Sequence, residues 1–280
     1  MNSFKIILKG FFMGMAEIIP GISGGTIALI LGIYERLITA LSKIDYYFLR
    51  RLFKGHIKEI WNYIDGIFLL QLTMGMILGI LSLSSVIIFL LENFPIFLKA
   101  LLSALLLGSL MIRPLRPRGL NKKILMGFIG SLFIAILLFN MPVPNLNDIN
   151  LFYIFFGGFL AICAFILPGL SGSFILLLLG IYPFMVHSLN SLDIFILSIF
   201  ISGCLFGLLT FVKILKSFYD SRKTVLEGFF FGLVLFSIPM IWKEQGISYL
   251  ILKITYLTEF TMGSFFGFFL IFLINKTKNN

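Results

Sequence analysis

Six long apolar runs follow one another along the chain, and each contains almost no charged residue. They cover residues 66–91, 96–112, 124–140, 193–215, 224–242 and 254–275. A helix needs about 20 predominantly apolar residues to cross a bilayer, so these runs predict membrane-spanning helices. The alternating apolar and polar pattern of a membrane β-barrel is absent from the sequence. Because backbone groups in lipid must bond internally, the predicted class is all-α.

Two further apolar stretches are interrupted by proline and glycine. Residues 20–35 read PGISGGTIALILGIYE, and residues 168–183 read PGLSGSFILLLLGIYP. Over the first fifteen positions of these stretches, ten residues are identical. The pair indicates that one structural unit occurs twice in the chain.

The repetition continues beyond this motif at a shorter spacing. The residues Asp65, Gly75, Gly79 and Ser109 recur 128 positions later as Asp193, Gly203, Gly207 and Ser237. The motif itself recurs after 148 positions, because the first copy carries about twenty extra residues near 43–64. We therefore predict two copies, at residues 1–147 and 148–280.

The charged residues predict the topology. Only 12% of residues are charged and 59% are hydrophobic, with a net charge of +10. In a chain this apolar, that charge indicates cytoplasmic basic loops and no nucleic-acid partner. Basic residues cluster at 43–58, at 113–123, at 213–223 and near both termini, whereas 140–150 has none. The positive-inside rule then predicts that both termini and the three basic loops are cytoplasmic.

This topology requires residues 4–42 to enter and leave the membrane on one side. The first arm, about residues 4–19, would be roughly 24 Å long at 1.5 Å per residue. That is shorter than a hydrocarbon core of about 30 Å, so a re-entrant hairpin is predicted at 4–42 and another at 151–189. Each copy then adds three spans, and because three is odd the copies are inverted. The predicted fold is an all-α integral membrane protein with an inverted-topology repeat, which is typical of transporters.

The two hairpin tips carry candidate chemistry for an anion. A helix N-terminus presents free backbone N–H groups and about half a positive charge, and it binds phosphate readily. Serine suits the N-cap position, and glycine leaves the backbone open to a ligand. The alternative is that these small residues only form tight tips packed against neighbouring helices. The predicted substrate-binding residues at the tips are Ser23, Gly24, Gly25, Thr26, Ser171, Gly172 and Ser173.

Glu17 lies one turn before the first tip, inside the predicted hairpin. A carboxylate within the membrane is costly and is a functional candidate by default. It could bind a coupling proton or cation, pair with a basic residue, or be a satisfied structural group. Its counterpart in the second copy is Phe165, so this role is not duplicated.

Arg36 is the basic candidate closest to the first tip along the second arm of the hairpin. If that arm is one helix, Ala28, Gly32 and Arg36 share a face. Arg36 could then partner Glu17 or bind a phosphate, or its side chain could extend to the cytoplasmic surface.

The sequence predicts no catalytic residue, no cofactor and no metal. Cys163 and Cys204 lie in apolar runs without partner spacing and are interpreted as small packing residues. His56 and His187 are isolated, so a metal site is not expected.

The segments GMAEIIPGISGGTIALILGIYERLI and ILPGLSGSFILLLLGIYP resemble the paired signatures of the polyprenyl-phosphate transporters, the PopT family, and the similarity extends over essentially the whole chain. The resemblance implies a flippase of the bacterial or archaeal cytoplasmic membrane. Its lipid would be undecaprenyl phosphate, moved from the outer to the inner leaflet for reuse in cell-wall synthesis. The resemblance also points to the two tips, to Arg36 as a substrate-binding residue, and to Glu17 and Glu35 as coupling or gating residues.

Two other functions are considered. Undecaprenyl-diphosphate phosphatases also use re-entrant repeats, but they carry a P-G-x-S-R-S motif, and Gly24 stands here in place of the arginine. Such an enzyme would lack the main stabiliser of transition-state charge. A small-anion or ion-coupled solute transporter is the other alternative. Dependence of binding on lipid-tail length would separate lipid from small solute, and phosphate release would reveal the enzyme.

Overall fold

The computed structural model of the chain describes residues 3–17, 23–112, 115–117, 119, 121–140, 150–242 and 254–279. Within these ranges every regular element is an α-helix, which confirms the predicted all-α class. The first half contains α1 (Ser3–Glu17), α2 (Gly24–Ile30), α3 (Tyr34–Ser42), α4 (Tyr46–Phe53), α5 (Ile57–Tyr63), α6 (Gly66–Asn93), α7 (Pro95–Met111) and α8 (Lys122–Phe139). The second half contains α9 (Leu151–Ile166), α10 (Gly172–Leu178), α11 (Tyr182–Asn190), α12 (Ile194–Ser221), α13 (Lys223–Ile241) and α14 (Ile254–Asn279).

Each of the six predicted spans coincides with one of the longer helices. Among the described residues, three segments are by themselves long and apolar enough to cross a bilayer: Gly66–Leu83 in α6, Ile194–Ser221 in α12 and Tyr256–Leu273 in α14. The bent pair α10 and α11 would make a fourth if it is one broken span. Helices α7 and α9 are apolar but shorter. Many large hydrophobic side chains on the long helices are exposed, as expected of surfaces that face lipid.

The long helices pack in four main pairs: α1 with α6, α9 with α12, α8 with α13, and α7 with α14. In each pair a glycine lets one backbone approach the other so closely that an added Cβ would meet main-chain atoms. By the sequence repeat, α1 and α6 correspond to α9 and α12, and α7 and α14 correspond to α13 and α8. The same pairings therefore occur twice, whereas the inverted orientation of the copies stays a prediction. The glycines are Gly14 in α1, Gly203 in α12, Gly228 in α13 and Gly263 in α14.

The arm that follows each hairpin tip is two short helices rather than one. Helices α2 and α3 are separated at Leu31–Ile33, where Gly32 has a φ of 70°, and α10 and α11 are separated at a Gly180 with a φ of 68°. The axes of α10 and α11 differ by 114°. A left-handed glycine ends a helix because it bonds the last carbonyls without steric cost. The interpretation of Ala28, Gly32 and Arg36 as one helix face is therefore wrong.

The extra residues of the first copy form the small helices α4 and α5. Asp45 is the N-cap of α4, and its carboxylate accepts a hydrogen bond from the Phe48 backbone at 2.9 Å. In the second copy α11 ends at Asn190 and α12 begins at Ile194, with no such insertion between them. The predicted tip turn at Pro20 and Gly21, and most of the predicted external loop at 140–150, lie outside the described residues.

Candidate functional site

The N-terminus of α2 is closed by side chains of the chain itself. The Oε1 atom of Glu17 accepts a hydrogen bond from the backbone nitrogen of Gly24 at 2.5 Å. Ser23 is the N-cap, and its Oγ accepts from the Gly25 nitrogen at 3.0 Å. The first N–H groups of a helix have no partner within it, so these bonds satisfy two donors that would otherwise be free. A carboxylate oxygen thus occupies the place where the sequence predicts an anion.

One interpretation of the sequence paired Glu17 with Arg36, but the two side chains do not pair in the structure. The Arg36 guanidinium makes a two-point ion pair with Asp65, with Nε–Oδ2 at 2.6 Å and Nη2–Oδ1 at 3.1 Å. It also lies 4.3 Å above the Phe68 ring. No basic side chain in the described part of the chain lies within salt-bridge distance of Glu17. The backbone N–H and the positive end of α2 therefore face this carboxylate in place of a cation.

The first tip is fastened to the second by buried hydroxyl groups. The Ser23 hydroxyl faces the carbonyl oxygens of Leu167 at 3.0 Å and Phe165 at 3.2 Å, to which it can donate its hydrogen. The Oγ1 atom of Thr26 accepts from the backbone nitrogen of Gly169 at 2.8 Å. Ser23 and Thr26 are both fully buried. The structure thus brings the two tips into contact, and both hydroxyls act between the tips.

The second tip is built tightly but is capped differently. Gly169 has a φ of 87°, and an added Cβ would lie 2.6 Å from backbone atoms of Leu233 and Val234 in α13. Ser171 is the N-cap position of α10, yet its hydroxyl contacts Ser173 Oγ at 2.8 Å and not an N–H of the helix. The two tips therefore differ: α2 is capped by Glu17 and Ser23, whereas no side chain of the described residues caps α10.

Tyr34 also connects the two halves, although the sequence analysis did not single it out. Its hydroxyl donates to the carbonyl oxygen of Ile166 at 3.2 Å, and its ring packs edge-on against Phe230 at 5.5 Å between centroids. Only 2% of Tyr34 is exposed. Its identity with Tyr182 in the repeated motif was a signal in the sequence, but tyrosine is common in apolar cores and gave no reason to choose it.

Glu35 contacts a different part of the second half. Its Oε2 atom accepts from the Tyr219 hydroxyl at 3.2 Å and lies 3.5 Å from the Lys223 ammonium group. The ammonium group lies 4.7 Å above the Tyr219 ring. Glu35 therefore joins α3 to the junction of α12 and α13 and takes no part in the contact between the tips.

In the described ranges, no three histidine, cysteine, aspartate or glutamate side chains lie close enough together to hold a metal ion. The functional candidates are therefore backbone donors, hydroxyl groups and the Glu17 carboxylate.

Comparison with known proteins gives one family and two curated relatives. Residues 13–247 match the family model described as undecaprenyl phosphate translocase-like. The chain is 36% identical to the polyprenyl-phosphate transporter of Vibrio cholerae serotype O1 over 246 residues, which are 86% of this chain and 78% of that protein. It is 30% identical to the polyprenyl-phosphate transporter of Staphylococcus aureus over 257 residues, with 85% and 86% covered. No solved structure matches. The region matched by the family model contains both hairpin tips and Glu17.

Proposed function

This chain belongs to the undecaprenyl phosphate translocase-like family, and from that premise we propose that it moves a polyprenyl phosphate across the cytoplasmic membrane. The lipid is undecaprenyl phosphate, moved from the outer to the inner leaflet for reuse in cell-envelope synthesis. Its two curated relatives are named polyprenyl-phosphate transporters, and the match covers more than three quarters of each. The apolar helices agree with a multi-pass membrane protein.

The phosphate headgroup binds between the two tips. The observation that carries this proposal is the carboxylate of Glu17 on the Gly24 N–H, since a position that accepts a carboxylate oxygen also suits a phosphate oxygen. At the first tip the Gly24 N–H is the donor that Glu17 can yield, because the Gly25 N–H donates to Ser23 Oγ and the Thr26 N–H donates to the Ser23 carbonyl oxygen. The uncapped N-terminus of α10 contributes the backbone donors of Ser171, Gly172 and Ser173.

Glu17 and the phosphate compete for the same donor. A protonated carboxyl group keeps less acceptor capacity than a carboxylate and gains a donor of its own. Proton uptake at Glu17 therefore releases the Gly24 N–H to the lipid phosphate. Proton loss returns the carboxylate to α2 and expels the headgroup. In this scheme Glu17 couples a proton to each transport step.

The two copies then act as gates that open to opposite faces of the membrane. Two helix pairings each occur twice, α1·α6 again as α9·α12 and α7·α14 again as α13·α8, and this recurrence supports the arrangement. With both termini cytoplasmic, the contact of Glu35 with Tyr219 and Lys223 lies on the cytoplasmic side. We assign Glu35 a gating role, because it holds α3 of the first copy to α12 and α13 of the second.

Flipping of fluorescent undecaprenyl phosphate in proteoliposomes, with and without a pH gradient, tests this function. Wild-type protein should flip the lipid faster with a gradient. Glu17→Gln should fold and insert normally but lose most of the flipping and its response to the gradient. Glu92→Gln, an exposed change of the same chemistry at the end of α6, is the control. Normal flipping by Glu17→Gln at every pH would reduce Glu17 to a structural residue.

The same vesicles separate the two other functions. Release of inorganic phosphate from undecaprenyl diphosphate would identify a hydrolase. Equal inhibition of flipping by inorganic phosphate and by short-chain and long-chain polyprenyl phosphates would identify a small-anion transporter. We expect no phosphate release, and inhibition that strengthens with chain length.

A further inference from the structure

The helices α4 and α5, which occur only in the first copy, expose large apolar side chains outside the six long apolar runs. We call residues 43–64 the surface hairpin. Large apolar side chains grouped on a surface usually mark a contact with a membrane or another protein. The exposed fractions are 76% for Tyr46, 88% for Phe53, 65% for Ile57 and 38% for Trp61.

Basic side chains lie among these apolar ones. On α4, Tyr46, Arg50 and Phe53 are spaced four and three residues apart and so share one face of the helix. The surface hairpin holds five lysine and arginine residues against two acidic ones. Arg51 pairs with Glu59. Among the described residues no carboxylate lies within salt-bridge distance of Arg50, Lys54 or Lys58.

The surface hairpin is held next to the bilayer by the chain itself. Helix α5 ends at Tyr63, and α6, whose first eighteen residues are long and apolar enough to span, begins at Gly66. Two residues can bridge at most about 7 Å. The Trp61 ring covers Gly66 and leaves no room for a Cβ there. The C-terminus of α5 therefore lies beside the first turn of α6, at the surface where that helix enters the bilayer, and α4 packs against α5.

We propose that the surface hairpin lies in the headgroup layer of the membrane and binds anionic phospholipids. Aromatic and aliphatic side chains that alternate with arginine and lysine are the composition of helices that lie in the membrane plane. Tyr46, Phe53 and Ile57 insert at the boundary between headgroups and acyl chains. Arg50, Lys54 and Lys58 contact lipid phosphates. We assign the surface hairpin to the cytoplasmic leaflet, and this assignment rests on the topology in the proposed function.

An acidic protein partner is the competing occupant. It would meet the same positive charge, but Phe53 and Ile57 would then need an apolar partner surface held at the level of the bilayer. The two-residue connection to α6 brings lipid to that level without any partner. Lipid therefore accounts for the charge, the exposed aromatic side chains and the position together.

The two tryptophans of the chain, Trp61 and Trp242, make a direct test possible. Trp242→Phe leaves Trp61 as the sole tryptophan, whose emission can be excited selectively over that of the nine tyrosines. The protein is placed in nanodiscs that contain a tracer lipid with a spin label on its headgroup, either phosphatidylglycerol or phosphatidylcholine. We expect both tracers to quench Trp61, and the anionic tracer to quench it at much lower concentration. Quenching of Trp61 by aqueous acrylamide but by neither tracer would overturn the proposal.

Charge variants test the basic residues. Each lysine or arginine near an anionic bilayer strengthens the attraction about fivefold. Changing Arg50, Lys54 and Lys58 to glutamine removes three such charges and should therefore lower the preference for the anionic tracer by about a hundredfold. The matched control changes Arg116, Lys122 and Lys123 to glutamine in another basic loop and should leave the preference unchanged. An equal loss in both variants would mean that net charge alone attracts the lipid, which would also overturn the proposal.

A separate variant tests whether the apolar side chains of the surface hairpin insert into the membrane. Phe53→Ser with Ile57→Ser should raise acrylamide quenching of Trp61 in nanodiscs, because α4 and α5 lose their insertion. Shielding of Trp61 in native membranes combined with full exposure in pure-lipid nanodiscs would assign the surface to a protein partner. Because none of these measurements involves flipping, their failure leaves the proposed function untouched.

Discussion

The Glu17 carboxylate and the Gly24 backbone nitrogen are 2.5 Å apart, so the chain supplies its own anion to the first turn of α2. No counterpart can form at the second tip, where Phe165 stands in the place of Glu17. Under the proposed function, the first tip therefore holds a resident acceptor that the lipid phosphate must displace, and the second tip has no equivalent carboxylate at that position.

Gly24→Ala should disturb this contact directly. An added Cβ would lie 2.6 Å from Glu17 Oε1, and the nearest other atoms belong to the same flexible side chain. The carboxylate must move, and the methyl group also narrows the approach of a phosphate. The methyl group should thereby keep the phosphate from the Gly24 N–H, and a hydrogen bond to a charged group contributes about 1.5–3 kcal/mol. Lipid binding should therefore weaken roughly ten- to a hundredfold. Titration with fluorescent polyprenyl phosphate measures this, and Gly24→Val should abolish transport.

The control for Gly24→Ala is Gly130→Ala in α8, where the nearest atom to an added Cβ is 3.8 Å away. It should bind and transport normally. A substitution at Gly172 would affect folding as well as ligand binding, because an added Cβ would lie 2.8 Å from the backbone oxygen of Ala161. We expect Gly172→Val to lose transport together with some folded protein. Full transport by Gly24→Val would contradict the headgroup site.

Thr26→Val should loosen the junction of the tips. Valine has nearly the shape of threonine but cannot accept the hydrogen bond from Gly169, which leaves that N–H buried without a partner. Such a loss costs about 1–3 kcal/mol. The melting temperature of the protein in detergent should fall clearly. Thr210→Val, which removes an exposed hydroxyl bonded within its own helix, should leave it almost unchanged.

Ordinary physical patterns in the sequence predicted much of this fold. Runs of apolar residues located α6, α12 and α14, and the repeated motif located both tips. Ser23 was recognised as an N-cap because serine accepts well from the second or third N–H of a helix. Each of these predictions depends on residues that are close together in the sequence, so the pattern can be recognised without knowledge of the fold.

The failures come from contacts between distant residues. Ser23 and Thr26 were predicted as substrate-binding residues, and nothing in the sequence indicated that each hydroxyl also bonds to backbone atoms more than 140 residues away. The break at Gly32 was missed because glycine is also common where helices pack closely. One interpretation made Arg36 a partner of Glu17, but Arg36 forms its ion pair with Asp65, which is 29 residues away in the sequence. No periodicity encodes such pairings.

Arg36 and Asp65 should behave as a coupled pair. The side chain of Arg36 is 41% exposed and that of Asp65 is 35% exposed, so the pair should contribute only about 0.2–1 kcal/mol. Arg36→Gln and Asp65→Asn should each lower stability slightly, and the double variant should lose no more than the larger single change. Melting temperatures of the four proteins give this cycle. Loss of lipid binding in Arg36→Gln but not in Asp65→Asn would indicate that Arg36 binds the substrate, as the family resemblance implies.

The side of the membrane on which α4 lies decides whether the two copies are inverted. Both cysteines, Cys163 and Cys204, can be replaced by alanine to give a background without thiols. Leu52→Cys on α4 should then resist a membrane-impermeant maleimide added to intact cells and react after permeabilisation. Asn145→Cys should react in intact cells, because the basic loops hold the opposite side in the cytoplasm. The hairpin 4–42 returns to its own side only if position 52 is cytoplasmic. Strong external labelling at position 52 would give the first copy an extra crossing and exclude the inverted repeat.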